Sequence, residues 1–233
     1  MTYLVLDLET GFTDHHKRKG NFYYNPVVAI GLKPISQNTS LGDWVYKDED
    51  FLNEILNIYL TTDHKILVGH NIKFDLLHLW KNEQLQNWLA QGGRIWDTQL
   101  AHYMLTAQQE KYPALREVAV RCYGCTERPK YMEEYWDKGI DTMNIPEDLV
   151  LDDVKNDVLD TEAIMLKQVE KAKKEGMYKL ILDMSESILA TTEMEFNGLY
   201  INQDIFKSNQ EKIDKELEAA YNGAIELATP YWK

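Results

Sequence analysis

Short apolar runs alternate with stretches of helical periodicity through most of the chain. Residues 3–8 (YLVLDL), 27–32 (VVAIGL) and 66–69 (ILVG) are nearly continuous apolar runs of strand length, the pattern of strands buried in a sheet. Residues 42–46 and the pair Ile95 and Trp96 predict shorter strands. Between these runs, Phe51, Leu52, Ile55, Leu56 and Tyr59 recur at helical spacing. Leu76, Leu77, Leu79 and Trp80, and then residues 98–105, read the same way. Strands alternating with helices predict an α/β layered architecture. The pattern weakens over 112–139, where Tyr131, Tyr135 and Trp136 sit among charges. A loop-rich insertion with one helix at 115–122 is expected there.

Residues 144–176 predict a single long helix. Pro146 stands near its start, and Glu147, Asp148, Asp152 and Asp153 crowd its first turns. Lys171, Lys173 and Lys174 crowd its end, and Gly176 follows. Acids at the N-terminus and bases at the C-terminus complement the helix dipole. Two further amphipathic helices are predicted over 178–197 and 203–229, joined by a turn at 198–202. The change of character after Gly176 places a domain boundary near 177, giving segments 1–177 and 178–233.

Composition narrows the class. A chain of 233 residues makes one or two domains and buries a core without disulfides or metal staples. Its 44% hydrophobic and 27% charged residues exclude a disordered or fibrous protein. No run of 18 apolar residues occurs, so no membrane partner is expected. Asp7 and Glu9 interrupt the first apolar stretch, unlike a signal peptide. Cys122 and Cys125 make no disulfide framework, and a reducing, cytoplasmic setting is expected. Their spacing is that of a zinc knuckle, but no second ligand pair follows, so a turn with two small thiols is expected. The net charge of −13 argues against a broad grip on nucleic acid. It leaves room for a nucleic-acid enzyme whose acidic site is completed by metal ions.

Acids recur at positions that can meet. Asp7 and Glu9 are two apart on the first strand, so they project from one face, with Leu8 behind them. Paired carboxylates repel unless a cation neutralises them, and oxygen-rich sites suit Mg²⁺ or Mn²⁺. Asp75 follows the strand at 66–69, in the first turn of the next helix. Asp153, Asp157 and Thr161 are spaced four apart and share a face of the long helix. Each piece alone also fits a plain cap or a solvated face. His70 and His78 lack further ligands at useful spacing and are read as structural. The basic run at 15–19 (HHKRK) reads as a solvated loop or a guide for a nucleic-acid strand, and Trp232 as an exposed apolar edge whose packing partner is lost to truncation, open to self-association.

In chain order these pieces resemble a known family. Asp7-Leu8-Glu9-Thr10, Asn71-Ile72-Lys73-Phe74-Asp75, and Asp157 with Thr161 are similar to the three motifs of DEDD-type 3′–5′ proofreading exonucleases. Trp96-Asp97-Thr98 followed by Leu100, Tyr103 and Leu105 also resembles a recurrent segment of these domains. Residues 188–201 (ILATTEMEFNGLYI) are similar to the junction at which family A DNA polymerases, including those of short-tailed phages, pass from exonuclease to thumb. The resemblance implies a ribonuclease-H-like three-layer α/β fold with a mixed sheet and a C-terminal helical segment. It makes 1–177 the exonuclease domain and 178–233 the helical start of a truncated polymerase thumb, from a cloned fragment or a split gene product. No polymerase activity is expected of this chain.

The same resemblance implies the site. Asp7, Glu9, Asp75 and Asp157 would hold two Mg²⁺ or Mn²⁺ ions and carry catalysis. Asp7 would bridge the ions, Asp157 would hold the water-bearing one, and Asp75 would support the second through waters. Glu9 would also touch the terminal 3′-hydroxyl, and Thr10, Asn71 and Phe74 would bind the last nucleotide. The implied partners are the 3′ end of single-stranded DNA and the remainder of a family A polymerase, in the cytoplasm (the host's, if phage-encoded). One position departs from the family. A Tyr four residues before the last Asp, or a His five before it, is replaced by Asp153 and Asp152. Asp153 then orients the water, or Tyr131 or Tyr135 reaches in, or activity is low. An inactive scaffold that docks a polymerase and a 3′–5′ exoribonuclease are the alternative functions.

Overall fold

The computed structural model describes residues 2–11, 25–35, 43–46, 49–60, 65–110, 112–129 and 131–231; the run at 15–19 and Trp232 lie outside them. The chain is an α/β protein. Its strands are β1 (Tyr3–Thr10), β2 (Val27–Ile35), β3 (Asp43–Tyr46), β4 (Ile66–Gly69) and β5 (Arg94–Asp97). They form one mixed sheet in the order β3-β2-β1-β4-β5. β1–β2 and β2–β3 are antiparallel, and β1–β4 and β4–β5 are parallel. The helices are α1 (Glu49–Tyr59), α2 (Lys73–Leu79), α3 (Glu83–Ala90), α4 (Thr98–Leu105), α5 (Leu115–Tyr123), α6 (Tyr131–Asp137), α7 (Glu147–Lys174), α8 (Tyr178–Asn197) and α9 (Gln203–Ala228). Among the described residues, no helix is long and apolar enough to cross a membrane.

Both faces of the sheet are covered, which is why its central strands read as continuous apolar runs. Leu4, Leu6 and Leu8 of β1 join Ile55, Leu56, Leu76 and Trp88 in one core cluster. Val5 of the same strand joins Trp96, Val158, Met165 and Ile181 in another. The sheet is therefore the middle of three layers, with α1–α3 on one side and α4 and α7 on the other, while α8 packs against both clusters. Lys33 extends β2 beyond its apolar run, because its amine reaches the Glu162 carboxylate on α7.

Several elements differ from expectation. The 112–139 region holds two helices, α5 and α6, rather than one. α3 leaves no clear pattern in the sequence: it is capped by Asn82, which accepts from the Gln84 and Leu85 amides, and it buries only Leu85 and Trp88. α7 starts at Glu147, with Pro146 as its N-cap and a short 3₁₀ turn at Thr142–Asn144 before it. The compact units are Met1–Phe196 and Asn197–Lys233. α8 thus packs with the first unit through Ile181 and Leu182, and the change of character at 177 marks the end of a helix rather than of that unit. In the second unit, Asn202 caps α9 by accepting from the Asp204 and Ile205 amides.

One glycine sets the spacing between sheet and helix. Gly31 of β2 lies directly opposite Asp7 of β1. A Cβ placed there would sit 2.7 Å from Cγ2 of Val158 and 3.2 Å from Trp44. α7 thus rests on the sheet beside the strand that carries Asp7, and Asp157 precedes the contact residue.

Candidate active site

The end of β1 is built to project acids. Its pairing with β4 covers only Tyr3–Val5, and its register with β2 shifts between Glu9 and Thr10. Such irregularities re-aim side chains at sheet edges. Asp7 and Glu9 share the face of Val5, toward α7. One carboxylate oxygen from each of Asp7, Glu9 and Asp157 lies within 4.8 Å of the others.

Asp75 arrives from the opposite layer. β4 ends at Gly69, and Asn71 turns the chain with φ 56. The Ile72 amide donates to Asp97 Oδ2 at 3.0 Å. Asp97 also caps α4 by accepting from the Gln99 and Leu100 amides at 2.8 and 3.0 Å. One carboxylate thus fixes the turn into α2 and the start of α4. Asp75, in the first turn of α2, is 4% exposed and accepts from the Leu8 amide at 3.1 Å, past the end of the β1–β4 pairing.

These carboxyls are hard to ionise together. Burial pushes Asp7, Glu9 and Asp75 well above the usual carboxylate range. Repulsion from Asp157 adds to the effect at Asp7, and repulsion from Asp153 adds at Glu9. The Leu8 amide offsets part of the effect at Asp75. Asp157 is pushed up to about 6, by burial first and Asp153 second. A compact, all-oxygen cluster of mutually repelling carboxylates fits a hard divalent cation.

Sequence reasoning missed the positive side of the site. Arg116 of α5 pairs with Asp153, and its Nε lies 3.9 Å from Asp157 Oδ1. Arg128 donates to Asp157 Oδ1 at 3.1 Å and also pairs with Asp160. The available signal was scarcity. The chain has few arginines, and Arg116, Arg121 and Arg128 fall close together in the stretch with no clear periodicity. A groove of about 890 Å³ runs past these groups, lined by Glu9, Arg116, Arg128, Trp136, Asp153 and Asp157.

The remaining predicted residues fall around this centre. Asp153 lines the groove but lies outside the tight oxygen cluster, and burial raises its carboxyl. Tyr135 packs against the apolar cluster of Val28, Met132, Val150 and Val154, while Tyr131 is exposed. Thr10 ends β1, Asn71 is exposed in its turn, and the half-buried Phe74 ring lies 4.6 Å from that of His78. Thr161 is fully buried, and its hydroxyl has no hydrogen-bond partner among the described residues. His70 bridges Thr98 Oγ1 at 2.9 Å and the Pro113 carbonyl at 3.0 Å.

No family model matches the chain, and no curated protein matches it in sequence. Solved structures do match. Brucella melitensis NrnC with bound Mg²⁺ aligns over 84% of this chain and 86% of that one, with a TM-score of 0.55 and 14% identity. NrnC bound to pGG aligns over 84% and 85%, with a TM-score of 0.55 and 12% identity. A structure described as the apo form of the nuclease aligns over 84% and 85%, with a TM-score of 0.58 and 12% identity. The fold is similar to that of nucleases. In this nuclease-like fold the acids gather where β1 ends and α7 crosses the sheet.

Proposed function

We propose that this chain is a metal-dependent 3′–5′ exonuclease acting on DNA 3′ ends, the proofreading part of a family A DNA polymerase. The convergence of Asp7, Glu9 and Asp157 on a nuclease-like sheet, with Asp75 bound behind Leu8, carries the reading. Asp7, Glu9 and Asp157, backed by Asp75, would hold one or two Mg²⁺ or Mn²⁺ ions, which supply a water of lowered pKa and relief of charge at the phosphodiester. Asp153 takes the place of the family's tyrosine, accepting a hydrogen bond from the attacking water. Arg116 and Arg128 neutralise phosphate along the groove. Thr10 and Asn71 position the last nucleotide, and Phe74 offers a sequence-tolerant stacking face. The junction at residues 188–201 supports the polymerase context and DNA as substrate.

A 5′-labelled single-stranded DNA and an RNA of the same sequence, each with Mg²⁺ or Mn²⁺, test the reading. The expected result is a metal-dependent ladder shortening from the 3′ end of the DNA, slower on duplex. Degradation of RNA alone replaces the DNA assignment by an exoribonuclease. Two intact strands, from folded protein, replace both by a scaffold.

Arg128→Ala should weaken single-stranded DNA binding by about 3–10-fold, read by fluorescence anisotropy in Ca²⁺. It should flatten the salt dependence by roughly one phosphate's worth of counterion release. An unchanged salt slope with a lowered Tm would leave Arg128 a structural role only.

A further inference from the structure

A second group of metal-ligating side chains converges away from the acids. His102 lies on α4, Glu110 in the segment that follows it, and Cys122 on α5. A ring nitrogen, a carboxylate oxygen and a thiol sulfur from these three lie within 4.8 Å of one another. We propose that His102, Glu110 and Cys122 form a separate site for Zn²⁺, with its fourth position open to water.

The donor chemistry separates this group from the catalytic acids. Nitrogen, oxygen and sulfur together suit a borderline-soft ion, whereas an all-oxygen set suits Mg²⁺ or Mn²⁺. His102 Nε2 and Glu110 Oε2 are 2.9 Å apart, joined by a hydrogen bond where a bound ion would sit. Donor atoms around a tetrahedral Zn²⁺ lie about 3.3–3.7 Å apart, so sub-ångström to ångström adjustments complete the site. The His102 ring is buried and stands edge-on to Tyr123, which fixes its direction. Cys122 is exposed and Glu110 half-buried, so an ion reaches them from solvent. Arg121, which pairs with Glu110, is itself exposed and also faces Glu117 one turn earlier on α5, a second partner for its guanidinium when an ion takes Glu110. Cys125, the other thiol of the Cys-x-x-Cys pair, turns away to hydrogen-bond Asp160. The spacing thus points to the wrong partner: Cys122 finds its co-ligands across space, one on either side in sequence of Ala107 and Gln108, both at positive φ. An ion here ties α4 and the 106–110 segment to α5, whose first turn carries Arg116.

Co²⁺ titration of the chelator-stripped full chain tests the site, because only a thiolate ligand gives sulfur-to-cobalt charge transfer in the near ultraviolet. The expected band is present in the native chain, Asp7→Asn and Cys125→Ser, absent in Cys122→Ser, and bleached by one equivalent of Zn²⁺. Absence of the band from the native chain overturns the proposal. So does a band that survives Cys122→Ser. Circular dichroism confirms that the exposed Cys122→Ser variant is folded. The readout is spectroscopic, so it stands or falls independently of nuclease activity.

Discussion

Asp7→Asn is expected to lower metal-dependent degradation of DNA by on the order of 10³-fold or more. Favourable contacts between a catalytic ion and developing charge are worth several kcal/mol, and each 1.4 kcal/mol or so is tenfold in rate. Asparagine keeps the shape and removes the charge. Asp7 faces burial first and then the charges of Asp157, Asp75, Glu9 and Asp153, so the same change relieves repulsion. The variant should therefore unfold at a higher temperature than the native chain in chelator while failing to cut. Single-turnover degradation and a thermal melt on one preparation read both effects. Activity within a few-fold of native would remove Asp7 from the chemistry.

The chelated protein should grow more stable as the pH falls from 7.5 to 5. Asp157 titrates near pH 6 in the folded chain, and Asp7, Glu9 and Asp75 are raised as well. In the unfolded chain these groups ionise near pH 4. Between those limits the folded state binds protons that the unfolded state does not, so stability falls as pH rises through that window. Asp157 alone accounts for about 1–2 kcal/mol over this range, or roughly 3–6 °C in Tm for a chain of this size. Glu110 and Asp183 shift the other way, through His102 and through Lys179, below the window, and His70, which burial holds below its ordinary value, offsets part of the gain within it. Mg²⁺ or Mn²⁺ should raise Tm at pH 7.5 and much less at pH 5. Asp157→Asn should reduce the slope. A melting temperature in chelator that rises with pH over this range would contradict the electrostatic account.

The acid half of the site was legible because it obeys local rules. Strand alternation alone puts Asp7 and Glu9 on one face, and helical spacing aligns Asp153 with Asp157. Asp75 was legible through its motif, though not its bond to the Leu8 amide, which depends on β4 ending short of that residue. Arg116 and Arg128 were not legible, because only the packing of α5 and its following loop against α7 brings them to the acids. α6 was hidden by its charges. Met132, Tyr135 and Trp136 are spaced as a helix requires, but Glu133 and Glu134 between them and Asp137 after them blur the pattern. Gly176 and the lysines before it end α7 and in sequence have the look of a domain end, whereas the apolar face of α8 continues the same core.

Gly31 shows that this site has a mechanical tolerance as well as a chemical composition. The long helix seats on bare backbone there, beside Asp7, with no side chain as a spacer. A single methyl group at that point would act as a shim beneath Val158, lifting the helix that carries Asp157 while leaving every acid in the sequence untouched. Misplacing a reacting group by about 1 Å costs on the order of 10²-fold in rate. A chain with all its carboxylates and an alanine at 31 would pass any inspection of its motifs and still be out of true.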